Sequence, residues 1–352
     1  RDTFLLVRGN FQSPGEKVTP AVPKSLFAGF SEMPTNRLQL AKWLVSPNHP
    51  LTSRVAVNRF WQMLFGTGLV KTANDFGSQG EWPSHPELLD YLATEFIARN
   101  WDIKSMLKLM VSSATYRQDT KISPENLERD PANRMLARGP RFRLDAEMIR
   151  DNALAVSGLL TRKIGGESVR PYQPPGLWEA VSFSAEFSSQ SYVQSKGEDL
   201  YRRGLYTYWK RSLPYPSLVT FDAPNREVCT VQRQRTSTPL QALVLMNDPV
   251  FLEAARGLAQ RVLTEGGENI SQKLNFAFRL TLARRPTNTE TKLLKNIYRE
   301  QLQNFKKDKK AAQDFVKIGE SPRPKNLDES ELAAWMAVGN ILLNLDETIT
   351  KG

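Results

Sequence analysis

The sequence predicts a mainly α, multi-helix globular domain with a small β-sheet or hairpin. Apolar residues recur at helical spacing in several separate segments. These segments begin at Ser, Thr or Asp and end at Gly or Pro, the residues that start and stop helices. Runs of β-forming residues are short and few. With 40% hydrophobic and 24% charged residues, the chain has the composition of a protein that folds around a core.

The first part of the chain opens with a possible strand at residues 3–7 and continues into helices. Helices are predicted at 37–45 and at 51–65, the second closed by Gly66. Ser84 and Glu87 have the spacing of a capping box and predict the start of a third helix. Asp102 is placed to begin a fourth, and a longer helix is predicted over 144–164, ending at two glycines.

The middle of the chain, from about 168 to 224, is rich in proline, serine and aromatic residues. Within it, residues 204–209 have the aromatic and β-branched composition of a strand. The run at 3–7 is its obvious partner, although periodicity cannot pair the two. Further on, helices start at Thr238, Asp248 and Asp328. The basic stretch 306–325 is predicted as a solvated loop or frayed helix.

These patterns suggest one compact unit with three parts. Residues 1–165 form an N-terminal helical half with a leading strand, 166–240 a middle segment with short strands, and 241–352 a C-terminal helical part. The opening Arg1, without an initiator Met, is interpreted as the start of a fragment.

The chain carries a formal net charge of +11, from 48 Lys and Arg against 37 Asp and Glu. Such an excess favours anionic partners, and the simpler alternative is general surface charge for solubility. No apolar stretch approaches the roughly 18 residues that predict a membrane span.

Cysteine and histidine are scarce. The single Cys229 excludes a disulfide framework and a C-x-x-C-H haem attachment within this chain, and its apolar neighbours predict a buried side chain. No metal site is predicted, because neither histidine has ligands at metal-binding spacing. His85, with Asp75 ten residues before it to orient its ring, could act as a general base. The alternative is that His85 lies in a turn and its ring forms hydrogen bonds with nearby backbone groups.

The densest polar signal is an arginine-rich segment ahead of the helix at Thr238. Arg226, Arg233 and Arg235 lie where helix N–H groups add positive potential, which predicts an anion-binding site. The alternative is that these arginines pair with Asp222, Glu227 or buried carbonyls and brace the loop. Asp222 is also a candidate acid or base, and Arg59 a candidate ligand-binding residue.

Taken together, a set of motifs resembles the planctomycete-specific C-terminal domain known as domain of unknown function 1553. The set covers nearly the whole chain and comprises 8–10, 51–75, 83–87, 113–117, 143–147, 221–249 and 343–347. Each motif is weak by itself, and the combination is specific.

The resemblance implies an extracytoplasmic, periplasmic protein in which a cytochrome-c-like segment precedes this domain. Haem would then belong to that upstream region, and the upstream domains of the same chain become expected partners. The resemblance also implies an association with polysaccharide degradation, and it carries over no catalytic residues.

Two functions from different classes follow. The first is a module that binds an anionic polysaccharide or a partner domain through Arg59, Arg226, Arg233 and Arg235. The second is a hydrolase or redox enzyme acting on polysaccharide, with Asp75, His85 and Asp222 as acid or base groups. Nucleic-acid binding fits the charge, but the sequence contains no recognised motif for it.

Overall fold

A computed structural model describes residues 2–27, 29–30, 32–181 and 191–352. The chain forms two compact units, Arg1–Arg141 with Gly352, and Phe142–Lys351. Over its described residues it contains fifteen α-helices and two antiparallel sheets of two strands each, which confirms the predicted mainly α class.

The first unit begins with a hairpin and continues into five helices. Its elements are β1 (Thr3–Leu6), β2 (Pro14–Val18), α1 (Arg37–Leu44), α2 (Thr52–Phe65), α3 (Pro86–Ala98), α4 (Ile103–Val111) and α5 (Pro124–Arg129). Strand β1 pairs with β2 in antiparallel register, so the predicted pairing with residues 204–209 is wrong. Within this hairpin, β2 supplies the hydrogen-bond partners of β1. In the connection between the two strands, Arg8 and Gly9 both have positive φ.

Buried side chains of helices α2, α3 and α4 form the core of the first unit. Trp61 and Phe65 stack with ring centroids 3.9 Å apart, and Phe96 and Met106 are buried with them. Helix α2 ends at Gly66 (φ 83°), as predicted. The capping box expected at Ser84 is absent, because His85 occupies the N-cap and makes no side-chain cap bond.

A buried amide fixes the loop that follows α2. Asn58 is fully buried, and its side chain accepts from the Val70 N–H at 2.9 Å and donates to the Val70 carbonyl at 3.0 Å. A Cβ on Gly68 would lie 2.6 Å from the Asn58 amide nitrogen. Glycine is therefore required there so that the loop can approach the helix.

The second unit contains the remaining elements. They are β3 (Phe142–Arg143), α6 (Ala146–Ser157), α7 (Leu177–Ala180), α8 (Pro216–Thr220), α9 (Pro239–Asn247), α10 (Pro249–Glu265), α11 (Ile270–Leu282), α12 (Asn288–Lys307), α13 (Lys309–Val316), α14 (Glu329–Leu343), α15 (Asp346–Ile349) and β4 (Thr350–Lys351). Strand β3 pairs with β4 in antiparallel register.

Two helix predictions in this unit need correction. Helix α6 ends at Gly158, which is left-handed (φ 80°), and does not continue to 164. The apolar Leu159 and Leu160 that extended the pattern pack beside the buried Leu200. Within the expected loop 306–325, α13 forms because Asp308 caps its start and its apolar residues pack inward.

Helices α10 and α14 form the centre of the second core. Leu258, Trp335 and Met336 are at most 1% exposed. A Cβ on Gly339 of α14 would lie 3.0 Å from the Ala255 carbonyl oxygen of α10, so the two backbones approach closely at this glycine. The predicted starts at Asp248 and Asp328 are confirmed, since each carboxylate accepts from a backbone N–H of its own helix.

Buried arginines hold the irregular segment between α6 and α8. Arg150 donates to the carbonyls of Leu200 (2.7 Å) and Arg202 (2.6 Å). Arg202 donates to the Glu167 carbonyl at 2.9 Å, and its guanidinium lies 3.9 Å from the centroid of the Tyr206 ring. The predicted strand at 204–209 is instead a 3₁₀ turn followed by a single parallel bridge. Part of the predicted middle segment, 182–190, lies outside the described residues.

Candidate anion-binding site

Residues 225–237 of the second unit form an exposed connection before α9, here called the arginine loop. Asp222 joins its two ends, because its carboxylate accepts from the Thr236 N–H (2.8 Å) and from the Thr236 hydroxyl (2.9 Å). Arg143 also donates to Asp222. Asp222 has a left-handed backbone (φ 63°), a conformation that Asp tolerates better than most residues. Its role as a catalytic acid or base stays a prediction.

Arg233 forms a close ion pair with the second unit's helix α6. Its guanidinium is bidentate to Glu147 at the start of α6, with N–O distances of 2.5 and 3.2 Å. Burial by itself raises the pKa of Glu147, but the hydrogen bonds and charge of Arg233 outweigh burial and hold that pKa below its usual value. Arg233 therefore anchors the loop to α6.

Arg235 contacts an aromatic ring and a carboxylate. Its guanidinium lies 4.5 Å from the centroid of the Phe142 ring, and one nitrogen lies 3.9 Å from an Asp145 carboxylate oxygen. Burial lowers the pKa of Arg235, and the charge of Asp145 acts in the opposite direction. About a quarter of the side chain stays exposed, at 27%.

Arg226 differs from both. It is exposed, and its guanidinium lies 4.4 Å from the centroid of the Trp209 ring. The indole N–H of Trp209 donates to the Asn225 carbonyl at 2.9 Å, which fixes the ring beneath the guanidinium. In the described part of the chain, no hydrogen bond or ion pair engages Arg226. Its φ of 63° places a long side chain in a region of the backbone map that such residues rarely adopt.

Cys229 is exposed within the arginine loop, so the prediction of a buried cysteine is wrong. Its flanking valines suggested a core segment. However, Val228 is 72% exposed, and residues 225–230 are all exposed. The loop turns outward here because its ends are held at Asp222 and Arg233, leaving the stretch between them without a core to pack on.

This geometry suits recognition of a negatively charged group. Arg226 lowers the pKa of Glu147 through its charge, which shows that its field reaches the Arg233 pair. A guanidinium that contacts a ring through its face keeps its in-plane N–H donors for an anion. Ligand binding by Arg226, Arg233 and Arg235 stays a prediction.

The candidates of the first unit have local roles. Asp75 accepts from the Gly77 N–H at 2.7 Å, and His85 Nδ1 lies 3.0 Å from the Ser84 hydroxyl. No hydrogen bond joins these two described side chains to each other. Since Asp222 belongs to the other unit, the convergence that the enzyme hypothesis requires stays a prediction.

Arg59 is exposed on α2. With Leu51, Thr52 and Val55 it lines a shallow cavity of about 400 Å³. At the start of this helix, the His49 ring accepts from the Thr52 N–H at 3.1 Å. Ligand binding by Arg59 stays a prediction.

Residues 2–27, 29–30, 32–181 and 191–352 contain no group of three or more His, Cys, Asp or Glu side chains that could hold a metal ion. Over the same residues, no helix has the length and apolar character needed to cross a membrane.

Sequence reasoning missed the partners of the arginines. Glu147 and Asp145 hold Arg233, and the rings of Trp209 and Phe142 lie under Arg226 and Arg235. Glu147 lies 86 residues before Arg233, so nothing in the local sequence pairs them. The one available signal was two carboxylates at the start of a predicted helix, a position where helix N–H groups also favour them.

Residues 36–298 match the family described as PSD1, Protein of unknown function (DUF1553). The chain belongs to this family. The PSD1 match confirms the resemblance to domain of unknown function 1553, and it spans the whole arginine loop and ends within α12. No curated protein and no solved structure matches the chain.

Proposed function

We propose that this PSD1 chain binds an anionic polysaccharide through the arginine loop, with Arg226 as its principal contact. The observation that carries the proposal is the exposed Arg226 guanidinium over the Trp209 ring, 4.4 Å from its centroid, in the same loop as Arg233 and Arg235. An extracytoplasmic location next to cytochrome-c-like domains is part of the proposal and rests on the motif resemblance alone.

The physical argument starts from what each arginine already contacts. Arg233 donates to both oxygens of Glu147, so an added anion would compete with a carboxylate already in place. Arg226 contacts a neutral ring, so an anion gains a charged partner without displacing one. A charge-assisted hydrogen bond of this kind is worth about 1.5–3 kcal/mol, roughly a tenfold or greater change in affinity.

The fold supplies a reporter for this site. Cys229 is the chain's only cysteine, is exposed, and lies three residues from Arg226. A fluorophore attached to Cys229 through a maleimide would therefore sit on the loop itself. Fluorescence anisotropy of the labelled protein is then measured during titration with heparin, with polygalacturonate, and with dextran as the neutral control.

We expect both acidic polymers to raise the anisotropy and dextran to leave it unchanged. Added salt should weaken the binding, because exposed charges are screened. Arg226→Ala should lower the affinity about tenfold. Arg299→Ala removes the same charge from the exposed face of α12 and should have little effect.

Equal losses for the Arg226 and Arg299 variants would mean that only overall charge matters. Binding of dextran, or binding that salt does not change, would contradict the proposal as well. If neither acidic polymer binds, a partner domain becomes the better interpretation of the loop.

A further inference from the structure

A second concave feature of the second unit lies apart from the arginine loop's charged residues. One face of α9, the start of α10, the segment before α7 and Gln194 line a groove of about 620 Å³, a size that suits a small ligand. Its lining is mostly apolar and consists of Tyr172, Gln173, Pro174, Pro175, Gln194, Leu240, Leu243, Val244, Asn247, Asp248 and Pro249.

One wall of the groove is rigid. The Tyr172 hydroxyl donates to Glu253 at 2.9 Å and accepts from the Glu320 N–H at 2.9 Å. The Tyr172 carbonyl accepts from the Tyr215 hydroxyl at 2.5 Å. Glu253 is itself fully buried, so Tyr172 is tied to the core at both its backbone and its ring. A groove held in this way needs little rearrangement to accept a ligand.

Gln173, which lines the groove, carries an unsatisfied hydrogen-bond donor that rotation of its side chain would present to a ligand. Of the groove's three amide side chains, Gln194 donates to Glu320 at 2.7 Å and Asn247 donates to the Leu243 carbonyl at 2.8 Å. The Gln173 amide nitrogen is buried and has no hydrogen-bond partner among the described residues. Buried donors are nearly always paired in folded proteins, and an unpaired one favours any molecule that brings an acceptor.

The groove also selects by charge. Among the described residues that line it there is no lysine or arginine, so an anion would find no counter-charge from them. Its carboxyl group, Asp248, already accepts from the Val250 N–H to cap α10, and burial raises its pKa, which shows a poorly solvated position for charge. A cation would have to compete with that cap. The lining therefore favours an uncharged ligand.

We infer that this groove binds a small uncharged molecule with an apolar ring and an adjacent carbonyl, the ring lying on the leucine and proline side chains and the carbonyl accepting from Gln173. This site is separate from the arginine loop in both residues and ligand charge. It stands or falls independently of the polysaccharide proposal.

The test uses the whole chain and N-benzylacetamide, a neutral ring with one amide carbonyl. Benzoate and benzylamine are the charged comparison probes of similar size. Saturation-transfer NMR on the three probes should show binding of N-benzylacetamide with a dissociation constant of about 1 mM, typical of a fragment of this size, and weaker binding of both ions.

Variants distinguish binding in the groove from binding to other apolar surface. Gln173→Leu should weaken N-benzylacetamide binding about three- to tenfold while leaving thermal stability unchanged or higher, since the amide donor has no partner to lose. Leu243→Asp should abolish the signal. Leu293→Asp, at a similarly exposed leucine of α12, should leave it intact.

The inference fails if N-benzylacetamide gives no saturation transfer, or if benzoate binds as well as it does. It fails also if Leu293→Asp weakens binding as much as Leu243→Asp, because the probe would then be meeting general apolar surface. An unchanged affinity in Gln173→Leu would remove the proposed role of the amide.

Discussion

The second unit uses arginine in two different ways. Arg150 and Arg202, which bond to the irregular middle segment, and Arg256 of α10 are at most 3% exposed and donate to backbone carbonyls. In the arginine loop, Arg233 and Arg235 keep 32% and 27% of their side chains exposed. The difference shows that composition alone does not make a basic segment a binding site. What separates the two sets is burial, since the first set lies in the core and the loop arginines stay partly exposed.

Buried arginines serve as braces because a chain without regular hydrogen bonding leaves carbonyls that need donors. One guanidinium offers five donors and can satisfy several carbonyls at once. In the arginine loop the partners are carboxylates and aromatic faces at the surface, which leave part of each guanidinium accessible. Of the interpretations weighed from the sequence for the loop arginines, anion binding stays a prediction, and Arg233 is held by a carboxylate that the sequence did not point to, Glu147.

The largest expected effect is on the buried set. Arg256 pairs with Glu253 at 3.1 Å, and both side chains are 1% exposed. Arg256→Met leaves Glu253 buried without its cation and should lower the free energy of unfolding by about 3–5 kcal/mol. Urea denaturation of the variant measures this loss. Arg299→Met, at an exposed position, is the control and should change stability by less than about 0.5 kcal/mol. A small loss of unfolding free energy for Arg256→Met would mean that Arg256 does not stabilise the fold.

An intermediate effect is expected where the loop meets α6. Glu147→Gln should cost about 1–2 kcal/mol at pH 7, because a bidentate ion pair becomes a neutral contact. The pKa of Glu147 is lower in the folded chain than the value of about 4.3 usual for glutamate, so this stabilisation is present above that value and is lost as the pH falls through the folded pKa.

Urea denaturation of both proteins from pH 7 down to pH 3 therefore gives two curves that converge in acid. A gap that stays constant with pH would show that the carboxylate charge does not stabilise the loop.

The smallest effect on stability is expected at Arg226. Its cation–π contact with Trp209 is exposed, so Arg226→Ala should cost less than about 1 kcal/mol in thermal or urea denaturation. Such a result would distinguish Arg226 from the buried arginines, because its substitution would lower the affinity for polysaccharide strongly and the free energy of unfolding only slightly. A loss of unfolding free energy as large as that of Arg256→Met would show that Arg226 stabilises the fold as the buried arginines do.

Local sequence signals predicted much of the fold. The caps at Gly66, Asp248 and Asp328 were identified because capping uses residues within a few positions of the helix end. These signals failed where tertiary packing determines the end of a helix or the partner of a strand. The leucines after Gly158 looked helical but pack on a separate cluster, and β1 found a partner nearer than residues 204–209.

The site was predictable only in part. The clustering of Arg226, Arg233 and Arg235 before α9 is visible in the sequence, since they lie within ten residues of one another. Their partners are not, because Glu147 lies far earlier in the chain and pairing over that distance depends on the packing of α6. For the same reason, the sequence could not say which arginine is held by a carboxylate.

The central claim, that the Arg226 guanidinium over Trp209 is the binding group, is tested most directly by Arg226→Lys. Lysine keeps the positive charge but loses the planar fork that lies over the ring and contacts an anion with two donors. In the heparin titration followed through labelled Cys229, the account predicts a several-fold loss of affinity. Full retention of affinity would contradict it, because the loop would then act through charge alone.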